Sequence, residues 1–144
     1  MRVLQRTALV GAAMLSAALS AYASTLYVDD SAPVGGDGLG WTSAFRHIQD
    51  ALAAAGADPS VSEIRVGAGV YRPDQSEHGH ATPGDRDASF RLQDGIALRG
   101  GYRGLAGGGS ADDRDPRLFV STLSGDLLGD DAPNWVNYSE NAHH

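Results

Sequence analysis

The feature that most constrains this chain is a change of hydrophobic period at Pro59. Upstream, in 41–56 (WTSAFRHIQDALAAAG), Trp41, Ala44, Phe45, Ile48, Ala51, Leu52 and Ala55 recur at steps of three and four, placing one apolar stripe along a helix. Thr42 or Ser43 is positioned to cap its start, and Gly56 to supply a left-handed residue at its end. Downstream the apolar runs are short, at 63–66, 69–71, 89–92, 96–102 and 118–123, and are punctuated by Gly and Asp. One more such run, TLYVD at 25–29, precedes the helix. Polar segments at 30–40, 72–87 and 103–117 read as surface loops, and 126–134 as a turn. The pattern predicts one helix among several short strands, with the extra length gathered in loops.

Composition narrows the function classes. The 144 residues suffice for one domain of ordinary size. All 11 basic residues are Arg, against 18 Asp plus Glu, and the formal charge of -7 disfavours a general electrostatic grip on nucleic acid or anionic lipid. With no Cys, the chain forms no disulfide, no thiolate metal site and no cysteine nucleophile. Arg2 and Arg6, an apolar stretch at 8–19 and the small residues Ala21 and Ala23 have the layout of a secretory signal peptide at 1–23, cleaved after Ala23. The apolar stretch is shorter than the roughly 20 residues a membrane span requires. The expected product is therefore acidic and secreted, at the cell surface, outside the cell or in the periplasm, with no transmembrane segment after cleavage.

On pattern alone the strands admit two architectures, a stack of coils of one repeated shape and an antiparallel sandwich. Apart from Asp94-Gly95 no Asn-Gly or Asp-Gly hairpin signal joins strands of matched length, and the helix that precedes the strand series is placed to cover an apolar end; both favour coils. The segments TLYVDDSAPVGGDG, IRVGAGVYRPD, DRDASFRLQDGIALRGGYRG and RDPRLFVSTLSGDLLGDD, in that order, resemble the N-terminal part of secreted bacterial right-handed parallel β-helix proteins, pectin-lyase-like and polymorphic outer-membrane-protein-like. The resemblance covers about 25–144. It implies a mainly β fold over 24–144: an N-terminal amphipathic capping helix, then the first coils of a repeat protein, a solenoid truncated as a fragment.

The acidic run Asp126, Asp130 and Asp131 surrounds Gly129, and hard oxygen ligands of this kind suit calcium, the one cofactor the residues suggest. The run departs from an EF-type loop, because Leu128 takes a ligand position and Asn137 stands twelfth; the alternative is an Asp-Gly turn whose carboxylates accept backbone N–H groups. Asp112, Asp113 and Asp115, and Asp85 with Asp87, are weaker acidic groups that suit solvated loops or pairing with Arg86 and Arg114. His78 and His80, and the terminal His143 and His144, lack further ligands at a diagnostic spacing for zinc or copper. Arg91, Arg99 and Arg103 either face a polyanionic sugar or balance the aspartates.

No catalytic or cofactor-binding residue is assigned. The glycine clusters lack the Lys and helix of a phosphate loop, and G-x-S-x-G is absent. The resemblance implies a noncatalytic structural role, with surface adhesion or contact to polysaccharide or cell-surface glycan. The competing reading is the leader of a secreted polysaccharide lyase or hydrolase whose catalytic coils lie elsewhere.

Overall fold

A computed structural model describes residues 23–134 and 136–143, so all but the last residue of the leader assigned to 1–23 lies outside the described residues, as does His144. The elements follow in the order β1 (Ser24–Val28), α1 (Ile48–Ala57), β2 (Val61–Gly67), β3 (Gly69–Tyr71), β4 (Ala97–Tyr102) and β5 (Ser121–Leu123), with a short 3-10 turn at Trp41–Ser43. Strands β1, β2 and β4 form one parallel sheet in that spatial order, and β3 and β5 a second parallel pair. Leu26 lies opposite Ile64, and Ile64 opposite Leu98, so the apolar faces stack in register. Alternate residues form a second row, Tyr27 opposite Arg65 and Arg65 opposite Arg99.

Parallel neighbours need a crossover, and α1 supplies the one between β1 and β2. Its stripe of Ile48, Ala51, Leu52 and Ala55 packs with Leu26, Val28, Ile64, Val66 and Tyr71 into the core, joined by Phe45. The Tyr71 hydroxyl donates to the Gly67 carbonyl, and burial pushes its pKa upward. On the outer row Arg65 lies over the rings of Tyr27 and Tyr102 and pairs with Glu63 and Asp112. No helix among the described residues is long and apolar enough to cross a membrane.

This arrangement corrects the expected architecture. The described residues form a small mixed α/β unit, two small parallel sheets and one helix, with no right-handed parallel β-helix or solenoid. A coil requires one unit repeated at a fixed period. Here the strands run from three to seven residues, and their connectors differ in kind, one carrying a helix and others irregular loops. Helix α1 packs against both β1 and β2, the strands it connects.

The helix also begins later than its apolar stripe. Phe45 is drawn into a strand-like bridge with Val28: its N–H donates to the Tyr27 carbonyl at 2.9 Å, and its carbonyl accepts from Asp29 N at 2.8 Å. A bridge at Phe45 and a bend at 46–47 then delay α1 to Ile48, with His47 at its N-cap in extended conformation and no side-chain cap. The Ser43 hydroxyl donates to Asp37 instead, and Gly56 lies inside the helix, where a Cβ would overlap the Gln93 side chain. The run 89–92 forms no strand; the Ser89 carbonyl accepts from Gln49, and Phe90 packs on the core. Of 118–123 only Ser121–Leu123 pairs.

Three aspartates, Asp29 and Asp50 buried and Asp30 half-buried, position the loops. Asp29, at the end of β1, is fully buried and accepts from Ser31 N, the Ser31 hydroxyl and Leu105 N. Asp30 accepts from Val70 N, while burial, reinforced by the charge of Asp29, pushes its carboxyl above the ordinary value. On α1, Asp50 accepts from the Ser76 hydroxyl and from Glu77 N and His78 N, clamping the start of the 72–88 loop. Burial raises its pKa, but these donors outweigh burial and hold it below the ordinary value.

Gly104 has φ +64, and a Cβ there would overlap Asp29 Oδ2, whereas Gly107 has φ +89 and open space. Gly107→Ala should cost roughly 1–2 kcal/mol for the left-handed backbone alone. Gly104→Ala should lose roughly 1–3 kcal/mol more, as overpacking does. Urea denaturation measures both, and equal losses would contradict the role given to Asp29.

Candidate metal centre

The chain leaves β5 through Ser124, whose N–H donates to the Tyr71 carbonyl, and the Asp126 carbonyl then accepts from Arg72 Nε at 2.7 Å. These bonds fix the first acid of the 126–131 run against β3. The Asp126 carboxylate accepts from the N–H groups of Gly129, Asp130 and Asp131, which wraps the turn around it; Gly129 takes φ +75. A Cβ at Gly129 would overlap the Arg72 guanidinium. The chain then reverses: Ala132 N donates to the Val136 carbonyl, and Asn134 and Asn137 adopt φ of 67° and 65°. Asn is among the non-glycine residues that tolerate this region best.

The reversal returns Glu140 to the turn. One carboxylate oxygen from each of Asp126, Asp131 and Glu140 lies within 4.8 Å of the other two. Glu140 Oε1 is shielded from solvent and accepts no hydrogen bond among the described residues. Next to it, Asn141 donates from Nδ2 to Asp131 Oδ2 at 2.8 Å, while its own Oδ1 is buried and meets no donor among the described residues. Oxygens this close fall within reach of a single ion with calcium's bond length of about 2.3–2.6 Å. Without a counter-charge the three carboxylates repel one another, and a shielded oxygen with no donor is unfavourable.

The sequence named Asp126, Asp130 and Asp131. The structure brings Asp126 and Asp131 together but leaves the Asp130 carboxylate outside the group; Asp130 contributes its N–H to Asp126 and its carbonyl to Asn137 Nδ2. Glu140 takes the third place. The available signal was the pair of asparagines between the acidic turn and Glu140, residues that permit a tight return. Asp126 accepts the turn's N–H groups and also belongs to the converging group, while Glu140 Oε1 accepts no hydrogen bond among the described residues.

Most of the other charged groups singled out in the sequence have partners. Asp112 accepts from Trp41 Nε1 and pairs with Arg65, and Asp113 pairs with Arg103. Asp115 caps the N–H of Arg117. Asp85 accepts from Asp87 N, and Asp87 lies 3.0 Å from His143 Nδ1. His78 pairs with Asp50 and stacks on His80. Arg99 lies beside Glu63, and Arg91 borders an open polar groove of about 390 Å³ with Asp85, Asp87 and His80. Among the described residues, Asp126, Asp131 and Glu140 are the one group of three potential ligands that converges.

No family model matches this chain, and neither a curated protein nor a solved structure does. Its class is therefore argued from fold and site.

Burial acts to raise the pKa of Asp126, but the three N–H donors and Arg72 pull it below the ordinary 3.8. The ionised form is thus favoured by folding, and its contribution is present above the ordinary value and lost as pH falls through the lowered one. Carboxyl-carbon NMR should place the Asp126 midpoint below 3.8. A midpoint at or above it would contradict the wrapped turn.

Proposed function

We propose that this chain is an exported, noncatalytic calcium-binding module, with the ion held by Asp126, Asp131 and Glu140 and with Asn141 adjoining. The observation that carries this reading is the shielded Glu140 Oε1, which meets no donor among the described residues, in a side chain that converges on two further carboxylates. An all-oxygen set on an irregular loop matches calcium's tolerance of flexible coordination, whereas thiolate and imidazole, which suit softer metals, are missing from the group. Export is supported by the leader pattern at 1–23. The partner assigned to the module is an extracellular polysaccharide or cell-surface glycan, in a structural or adhesive role. That assignment rests on the sequence resemblance and on no pocket.

Calcium that binds only the folded chain stabilises it by mass action. Isothermal calorimetry should give a heat of calcium binding, and calcium at a hundred times its Kd should add about 2.7 kcal/mol of stability. Glu140→Gln should abolish both effects. A flat titration with no gain in Tm would overturn the reading.

A further inference from the structure

The segment that ends the calcium cluster also fastens a distant loop. Directly after Glu140, the Asn141 carbonyl accepts from Arg86 Nε at 3.0 Å, and His143 N donates to the Arg86 carbonyl at 2.7 Å. The His143 ring lies 3.0 Å from Asp87, and the buried Ala142 donates its N–H to the Gly125 carbonyl at 2.8 Å. The seam encloses a small cavity of about 150 Å³, bordered by Pro73, Phe90, Leu123, Ala142 and His143.

The two halves of the 72–88 loop are held by different means. Its first half is clamped to α1 by Asp50, which receives Ser76, Glu77 and His78. The later half meets the C-terminal segment at Arg86 and Asp87. Only this second attachment runs through the residues that adjoin Glu140.

Resting on the calcium reading above, we propose that the bound ion is a latch: by drawing Glu140 onto Asp126 and Asp131 it fixes 141–143 against Arg86 and Asp87, so calcium orders the second half of the long loop. Two features support the coupling. Glu140 precedes the fastening residues without an intervening linker, and its shielded Oε1 accepts no hydrogen bond among the described residues. Asn141 joins the two parts directly, since its side-chain amide donates to Asp131 while its backbone carbonyl accepts from Arg86. Without calcium, repulsion among the three carboxylates favours release of Glu140, and the fastening is released with it.

The test is hydrogen exchange by mass spectrometry on the full chain, in calcium chloride and in EGTA, beside a calcium titration by calorimetry. With calcium, exchange should slow about tenfold or more at 141–143 and at 85–88, the signature of suppressed local opening, and stay unchanged at Glu77 and His78. Glu140→Gln should remove the calcium dependence; if that variant does not fold, Asp131→Asn makes the same test. A calorimetric heat with no change of exchange at 141–143 and 85–88 would overturn the latch and leave the calcium site standing. Slowing spread equally over Glu77 and His78 would also overturn it, as general stabilisation. With no heat at all, the calcium reading fails and the latch with it.

Discussion

Two adjacent carboxylates at the end of β1 hold the elements of this fold to one another. Asp29 is fully buried, yet its oxygens meet N–H and O–H donors from Ser31 and Leu105, so the burial of a charge is offset by hydrogen bonds made to it. The carboxylate lies where Gly67 and Gly104 leave room for it, and so links β1 to the end of β2 and to the chain beyond β4. Asp30 reaches β3 through Val70 N, while its carbonyl accepts from Arg46 ahead of α1. Three parallel strands alone make a small sheet; these polar ties turn it into a unit with fixed loops.

The same device recurs at each long loop. Asp50 gathers the start of the 72–88 loop onto α1, and Asp126 gathers the turn after β5. In each case a short acid accepts neighbouring backbone N–H groups and so replaces pairing the loop does not obtain from a sheet. That explains the abundance of aspartate without a ligand at each one. Among the described residues two acids keep a shielded oxygen that meets no donor, Asp74 and Glu140, and of the two Glu140 lies in a converging group of three carboxylates.

Much of the local structure was legible. The alternation at 25–29 and 69–71 and the stripe through Ile48, Leu52 and Ala55 correspond to β1, β3 and α1 because each has one buried face. The start of the helix was not legible, since Phe45 satisfies a helical period while its backbone bonds to β1, a long-range choice that no local pattern encodes. Nor was the architecture. Short strands between glycine turns are shared by repeating coils and by small parallel sheets, and only the unequal connectors and pairing separate them. At the site, adjacency in sequence pointed to Asp130, whereas the reversal through Asn134 and Asn137 substitutes Glu140. A ligand delivered by a turn at positive φ is set by backbone geometry, which spacing along the chain does not reveal.

The most direct test of the central claim is an anomalous difference map from crystals of the full chain grown with calcium. The account predicts a peak about 2.3–2.6 Å from oxygens of Asp126, Asp131 and Glu140, with the Asp130 carboxylate outside the coordination shell. A peak liganded by Asp130 in place of Glu140, or no peak at these residues, would contradict it.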